Sequence, residues 1–126
     1  MNKESIFTEK APKAIGPYSQ GVKTSNMIFT SGQLPLDPIS GEMHQDVKEA
    51  TRRAILNVQA VLEAGGSSLD KVIKTMVFLK DMKDFADMNE VYSEFFGENS
   101  PARSCVQVAA LPKDAVVEIE AIAIVD

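Results

Sequence analysis

An arginine two positions before the single cysteine of the chain is the first residue that suggests chemistry. Pro101 ends the preceding helical pattern, and a strand-like run at 106–108 follows the arginine. The guanidinium of Arg103 is a planar, permanently charged fork, and it is suited to holding a carboxylate through two parallel hydrogen bonds. Small neighbours, Ala102 and Ser104, leave room for a ligand. We expect Arg103 to anchor a small carboxylate-bearing substrate, the ordinary alternative being a surface or interface salt bridge.

A pair of carboxylates on the last predicted strand is the second chemical feature. Glu118 and Glu120 are two residues apart, so their side chains lie on the same face of that strand. Val116, Ile122 and Ile124 fall on this face too, and apolar surroundings would raise a carboxyl pKa towards a value useful for general acid or base catalysis. The alternative is an edge strand whose acids face water. Adjacent acids on one strand do not straddle a scissile bond, which argues against a glycosidase.

The lone cysteine and the lone histidine do not form a convincing catalytic pair. A cysteine nucleophile needs a general base, and His44 sits in a polar loop that we expect to be exposed. One cysteine and one histidine also exclude an internal Cys/His zinc site, so no metal is predicted. Cys105 is therefore expected to be a small core residue. The glycine and serine motifs match neither a phosphate loop nor a dinucleotide fingerprint, so no cofactor is predicted.

Three further polar residues are candidates for a pocket lining: Tyr18, Ser31 and Asn89. Each has an ordinary alternative, namely a loop aromatic, a hydroxyl at a strand end and a solvent-facing amide on a helix. Spacing alone gives no reason to group them.

Composition indicates one compact globular domain over residues 1–126. Hydrophobic residues make up 44% of the chain and charged residues 25%. No apolar run approaches the ~20 residues that span a bilayer, and 1–4 does not open a signal peptide. A single cysteine fits a reducing cytoplasm. The net charge of −5 argues against nucleic acid or an anionic membrane as the main partner.

The elements that must position these residues follow the order β-β-β-α-β-α-β-β. Asp46-x-x-Glu49 has the form of a capping box and starts the first helix, which Gly65-Gly66 ends. The second helix is predicted from about Asp84 to Phe96. Strands are predicted at 5–8, 21–24, 27–31, 71–80, 106–108 and 115–125.

This order predicts an α+β fold, a mixed sheet with two helices packed on one face. Both faces of the strand at 72–79 are apolar, with Ile73, Thr75, Val77 and Leu79 assigned to one side and Val72, Met76 and Phe78 to the other. The last strand is similar, because Ile122 and Ile124 alternate with Ala121 and Ala123. The uncovered apolar face needs something to bury it, and a second copy of the chain is the economical answer.

Several motifs in their usual order resemble the reactive intermediate deaminase (RidA, YjgF) family. They span essentially the whole chain: Ala14–Gln20, Phe29–Gln33, Val77–Met82, Pro101–Val106 and Val117–Ala121. The resemblance implies a chorismate-mutase-like trimer with pockets between neighbouring chains. It also implies hydrolysis of short 2-imino acids and their enamine tautomers, such as 2-aminoacrylate, to 2-keto acids and ammonia. Dehydratases that use pyridoxal phosphate generate these intermediates, and the family needs neither metal nor organic cofactor.

The resemblance also assigns roles to individual residues. Arg103 would hold the substrate carboxylate, and Glu118 would position or activate the attacking water. Backbone groups of Gly32 and Cys105 would help to hold the substrate nitrogen or the water. The remaining pocket residues would be Tyr18, Ser31 and Asn89.

A second hypothesis is a regulatory or chaperone-like binding protein whose pocket only senses a small acid. Relatives of the resembled family have been proposed to act in purine regulation, in protein protection and as ribonucleases. An RNA substrate suits this chain least, because it has an acidic balance and no run of basic residues.

Overall fold

A computed structural model describes residues 2–126 of the chain. Over these residues it has six strands and two α-helices in the predicted order β-β-β-α-β-α-β-β. The elements are β1 (Lys3–Ile6), β2 (Gly21–Thr24), β3 (Met27–Thr30), α1 (Val47–Ala64), β4 (Val72–Leu79), α2 (Phe85–Phe96), β5 (Ala102–Gln107) and β6 (Val117–Ile124).

The strands form one mixed sheet in the order β1-β2-β3-β6-β4-β5. Only β4 and β5 are parallel, and α2 connects them. The other neighbouring pairs are antiparallel. The predicted α+β class is confirmed.

Some boundaries differ from those predicted. The first strand ends at Ile6 rather than Thr8, because the Thr8 amide donates to the Gln20 side chain (2.7 Å) instead of to a neighbouring strand. The fifth strand begins at Ala102, so Arg103 lies within it. The last strand starts at Val117, because residues 112–114 form a 3₁₀ turn.

Local sequence signals account for α1. The Asp46 side chain accepts a hydrogen bond from the Glu49 amide (3.1 Å), which satisfies one of the free donors at the helix start. The helix ends at Gly65, and Gly66 has a φ of 91°, a conformation that glycine adopts at little cost. Its apolar stripe joins α2 on one face of the sheet, where both helices bury β4 and β6.

A β-bulge near the start of β4 corrects the predicted assignment of faces. Val72 pairs with Ala123 and Lys74 pairs with Ile122, so Ile73 is an extra residue in the ladder. Val72 consequently joins the buried core, whereas Ile73 is 44% exposed. Placing Ile73 beside Thr75 was wrong, because strict alternation holds only for a strand without a bulge.

Neither helix covers the other face of the sheet, which we call the open face. It carries partly exposed apolar side chains from β3, β4 and β6 together with two carboxylates. These residues are Met27, Phe29, Met76, Phe78, Ile122, Ile124, Glu118 and Glu120. Within residues 2–126, no helix combines the length and the apolar character needed to cross a membrane.

Candidate functional site

Arg103 lies on the side of the sheet that α2 covers. It pairs with Thr75 of β4, a buried residue of the helix-facing side. Its Nη1 donates to Oδ1 of Asn89 over 2.7 Å. Its Cζ lies 4.7 Å from the ring centroid of Tyr92 and 5.4 Å from that of Phe85. The guanidinium therefore rests against one face of α2.

The spacing of residues on α2 explains this arrangement. Phe85, Asn89 and Tyr92 are separated by four and three positions, so they share one face of the helix. Among residues 2–126, no carboxylate forms an ion pair with Arg103. The positive charge is therefore left available to an anion from outside these contacts.

A cavity of about 420 Å³ lies beside this arginine, and we call it the arginine cavity. Asn89, Tyr92, Phe96, Pro101 and Arg103 form part of its wall. Its polar groups can donate to and orient an anion, which matches the anchoring role expected of Arg103.

Cys105 follows Arg103 on the same side of β5, where it pairs with Val77 and packs against the core. Burial raises the pKa of its thiol, and the nearby positive charge of Arg103 only partly opposes this effect. The thiol is thus protonated at neutral pH and is not set up as a nucleophile. Because β5 is the last strand of the sheet, alternate backbone groups along its outer edge have no strand partner.

Glu118 lies in a second cavity of about 490 Å³, which we call the glutamate cavity. Tyr18, Ser31 and Gly32 line it together with Glu118. Aliphatic side chains, including Leu34 and Leu36, form much of the remaining wall. Four of the residues that the sequence singled out therefore meet in this cavity.

Backbone pairing holds Gly32 against Glu118. Gln33 and Ile119 exchange two hydrogen bonds, of 2.8 and 3.1 Å, which lay the loop after β3 along β6. A Cβ at Gly32 would collide with the Glu118 carboxylate, and it would stand only 2.7 Å from Cδ. Only a glycine lets the carboxylate approach the backbone this closely.

Ser31 and Tyr18 are held by the loop that precedes β2. The Ser31 amide donates to the Gln20 carbonyl (2.9 Å), and its hydroxyl donates to the Ser19 carbonyl (2.6 Å). The Gln20 side-chain amide is buried and donates to the carbonyls of Thr8 (3.0 Å) and Pro12 (2.8 Å). Tyr18 is exposed at the rim of the cavity.

The environment of Glu118 changes its acidity. Partial burial raises its pKa, and the neighbouring negative charge of Glu120 raises it further. A carboxylate with a raised pKa binds a proton more readily and is a better general base.

Within one chain, the two cavities are separated by the sheet. Glu118 projects onto the open face, whereas Arg103 projects towards α2. Their strands flank β4 and are therefore about 10 Å apart. The partners of the two residues on β4, Thr75 and Phe78, are three positions apart, so the two backbones are farther apart still before the side chains diverge. Asn89 and Cys105 lie near Arg103. Tyr18, Ser31 and Gly32 surround Glu118 on the other face. One chain does not bring these two groups of residues together.

Sequence reasoning missed some residues that position the groups in these cavities. Phe85 and Tyr92, whose rings face Arg103, were not among the predicted site residues, although their spacing from Asn89 places them on the same face of α2. Two buried amides, Gln20 and Asn57, hold the walls of the glutamate cavity. No local sequence pattern predicts this role, because their hydrogen-bond partners are distant in the chain.

Comparison with known proteins assigns the chain to a family. The endoribonuclease L-PSP family matches residues 8–125. A RutC family protein of Pyrococcus abyssi is 60% identical over 98% of both chains. The 2-iminobutanoate/2-iminopropanoate deaminase of Escherichia coli is 52% identical over 96% of this chain and 97% of its own length. The crystal structure of E. coli TdcF with bound serine superposes with a TM-score of 0.94 at 51% identity, covering 98% of this chain and 99% of TdcF. The chain therefore belongs to the endoribonuclease L-PSP family, which is the RidA (YjgF) family that its motifs resemble.

Proposed function

We propose that the protein hydrolyses 2-imino acids and their enamine tautomers to 2-keto acids and ammonia. The substrates would be small, such as 2-iminopropanoate, 2-iminobutanoate and, through its imine tautomer, 2-aminoacrylate. The relative from E. coli that is named a deaminase for the first two supports this class. The proposed setting is the cytoplasm, where dehydratases that use pyridoxal phosphate would supply these intermediates.

One observation carries the proposal: a positive group suited to a carboxylate and a basic carboxylate suited to water lie on opposite faces of one sheet. A small imino acid must contact both groups at once, so the site requires two chains. We propose a homotrimer in which the arginine cavity of one chain faces the glutamate cavity of its neighbour. The apolar open face supports such an assembly, since one chain leaves it uncovered.

The proposed reaction needs little beyond positioning. Arg103 holds the substrate carboxylate and places the imine carbon against the Glu118 carboxylate of the neighbouring chain. Glu118 accepts a proton as water attacks that carbon and forms a carbinolamine. Glu118 then passes this proton to the nitrogen, and its carboxylate accepts the hydroxyl proton of the carbinolamine as the C–N bond breaks, so that the C=O bond forms and ammonia leaves. A protonated imine is already a strong electrophile, so orientation supplies much of the catalysis.

The other predicted residues complete the pocket. Tyr18 and Ser31 line it on the glutamate side, and Asn89 supports Arg103 on the other side. Backbone groups of Gly32 and Cys105 would hold the substrate nitrogen or the water. We propose these roles on the basis of the grouping of residues around each cavity.

A coupled assay tests the proposal. A serine or threonine dehydratase generates the imine, and we expect the wild-type protein to accelerate keto-acid release and to deplete imine that a nucleophile can trap. Arg103→Ala and Glu118→Gln should abolish this effect. Arg52→Ala, which removes an arginine from the exposed surface of α1, is the matched control and should leave it intact. If Arg103→Ala accelerates the reaction as well as wild type does, the proposed function is wrong.

RNA cleavage is the competing activity, because the matching family is described as an endoribonuclease. The net charge of −5 disfavours a polyanionic substrate. A titration with single-stranded RNA at physiological salt distinguishes the two activities. We expect no binding in the micromolar range, and tight binding with cleavage would favour the ribonuclease.

A further inference from the structure

The guanidinium of Arg103 has neighbours that leave its charge uncompensated. Tyr92 and Phe85 present ring faces to it, and Asn89 offers a neutral oxygen. Aromatic faces attract a cation through their quadrupole without neutralising it. A carboxylate in the same place would hold the arginine equally well but would compete with an anionic substrate. The aromatic rings therefore fix the position of the arginine and leave its charge free to bind an anion.

Tyr92 is itself fixed by the strands that carry the arginine. Its hydroxyl lies 2.7 Å from Oγ1 of Thr75, and both residues are buried. Thr75 pairs directly with Arg103 across the β4–β5 ladder. The ring of Phe96 packs against that of Tyr92, with centroids 4.7 Å apart. Thr75 therefore contacts the Tyr92 hydroxyl and pairs with Arg103, so the β4–β5 strand pair fixes the positions of both the arginine and the ring beneath it.

We propose that Tyr92 is a positioning residue for substrate binding, which acts by holding the guanidinium of Arg103 in the orientation that receives a carboxylate. The inference rests on the proposed function for the identity of the anion. Asn89 accepts a hydrogen bond from one N–H of Nη1. Another edge of the guanidinium therefore keeps two parallel donors for bidentate contact with a carboxylate. Tyr92 acts only through the arginine and does not itself touch the reacting atoms.

Three variants separate this role from simple packing. Tyr92→Phe keeps the ring, and Tyr92→Leu removes the ring face. Phe95→Leu is the matched control, because it removes a partly buried ring of the same helix that packs against the core and lines neither cavity. Its ring is not one of the two that face the Arg103 guanidinium. A purely structural defect lowers the fraction of folded protein, which reduces apparent kcat and leaves KM unchanged. Lost orientation of a binding group instead raises KM.

The expected kinetics follow from the strength of a partly buried cation–π contact. Tyr92→Leu should raise KM about tenfold with kcat within about twofold of wild type. Tyr92→Phe should keep KM within about threefold of the wild-type value, since the ring face remains. Phe95→Leu should leave KM unchanged. Equal KM values for Tyr92→Leu and Phe95→Leu would overturn the inference while leaving the proposed function intact.

An NMR measurement tests the positioning without any substrate. The Arg103 Nε–Hε signal, identified by its loss in Arg103→Ala, should be shifted upfield by the Tyr92 ring in the wild-type protein. We expect Tyr92→Phe and Phe95→Leu to retain that shift and Tyr92→Leu to lose it. A wild-type protein that shows the shift but hydrolyses no imine would refute the proposed function alone. An Arg103 signal that is insensitive to Tyr92→Leu would refute the positioning role.

Discussion

Arg103 and Glu118 project from opposite faces of the same sheet, with β4 between the strands that carry them. Arg103 lies against the rings of α2, and Glu118 lies against the backbone of Gly32. No rotamer change brings the two groups onto one small molecule, because the sheet itself separates them. If both residues act in one reaction, they must come from different chains.

Mixed oligomers test this consequence. Arg103→Ala and Glu118→Gln should each be inactive alone, but refolding them together should restore activity. In a ring of chains mixed equally, about a quarter of the interfaces combine an intact arginine with an intact glutamate. We therefore expect about a quarter of the wild-type rate per chain in the coupled dehydratase assay.

The double variant carrying both substitutions on one chain is the control for this mixing. Refolded with wild-type protein in equal amounts, it should contribute no new sites. A mixture of the two single variants that stays inactive, although mass spectrometry shows mixed oligomers, would mean that each site lies within one chain.

Gly32→Ala should disable the glutamate cavity without a global change in fold. Gly32 does not have a positive φ, so backbone strain is not the cause. The new Cβ would collide with the Glu118 carboxylate and push it out of position. We expect kcat/KM to fall by at least about tenfold and the free energy of unfolding to fall by about 1–3 kcal/mol, as for other overpacked sites.

A second substitution checks the cause of this effect. In a Glu118→Ala background the collision is absent, so Gly32→Ala should cost little or no stability there. The two substitutions should therefore be non-additive in urea unfolding at fixed protein concentration. Additive losses would show that Gly32 matters for a reason other than its contact with Glu118.

Asn57→Ala should destabilise the wall of the glutamate cavity. The buried amide of Asn57 donates to the carbonyls of Leu34 (3.0 Å) and Leu36 (2.9 Å), and its oxygen accepts from Arg53. Truncation leaves these groups without their partner, so we expect a loss of about 1–3 kcal/mol in the free energy of unfolding. Gln59→Ala, a partly exposed amide on the same helix, should change it by less than about 0.5 kcal/mol. Equal effects would contradict the anchoring role.

Local patterns were sufficient to predict the elements and their order. The cap at Asp46, the glycines after α1 and the apolar periodicity of both helices depend on neighbouring residues, so the sequence carries their signal directly. The bulge at Ile73 was missed, because it arises from pairing with β6 rather than from any pattern within β4. Faces inferred from alternation fail wherever such a bulge occurs.

The candidate site was predicted less completely, for a related reason. Arg103 and Glu118 stand out by residue type and position, but their separation by the sheet depends on strand order, which alternation within one strand does not reveal. The role of Tyr92 depends on a parallel pairing that places Thr75 beside Arg103. Contacts between residues that are distant in the chain are therefore what the structure adds.

The pH dependence of the proposed activity should report the environment of Glu118. Burial and the negative charge of Glu120 raise the Glu118 pKa. Ionisation of this general base therefore requires a higher pH than ionisation of an exposed glutamate, whose pKa is about 4.3. Activity should fall as pH decreases through this raised pKa, and the acid limb of kcat/KM marks its position. Glu120→Gln removes one cause of the shift, so it should move that limb to lower pH while leaving the maximal rate nearly unchanged. Glu42→Gln, which removes an equal charge from an exposed loop, should leave the limb in place. An acid limb that is unaffected by Glu120→Gln would mean that a group other than Glu118 accepts the proton.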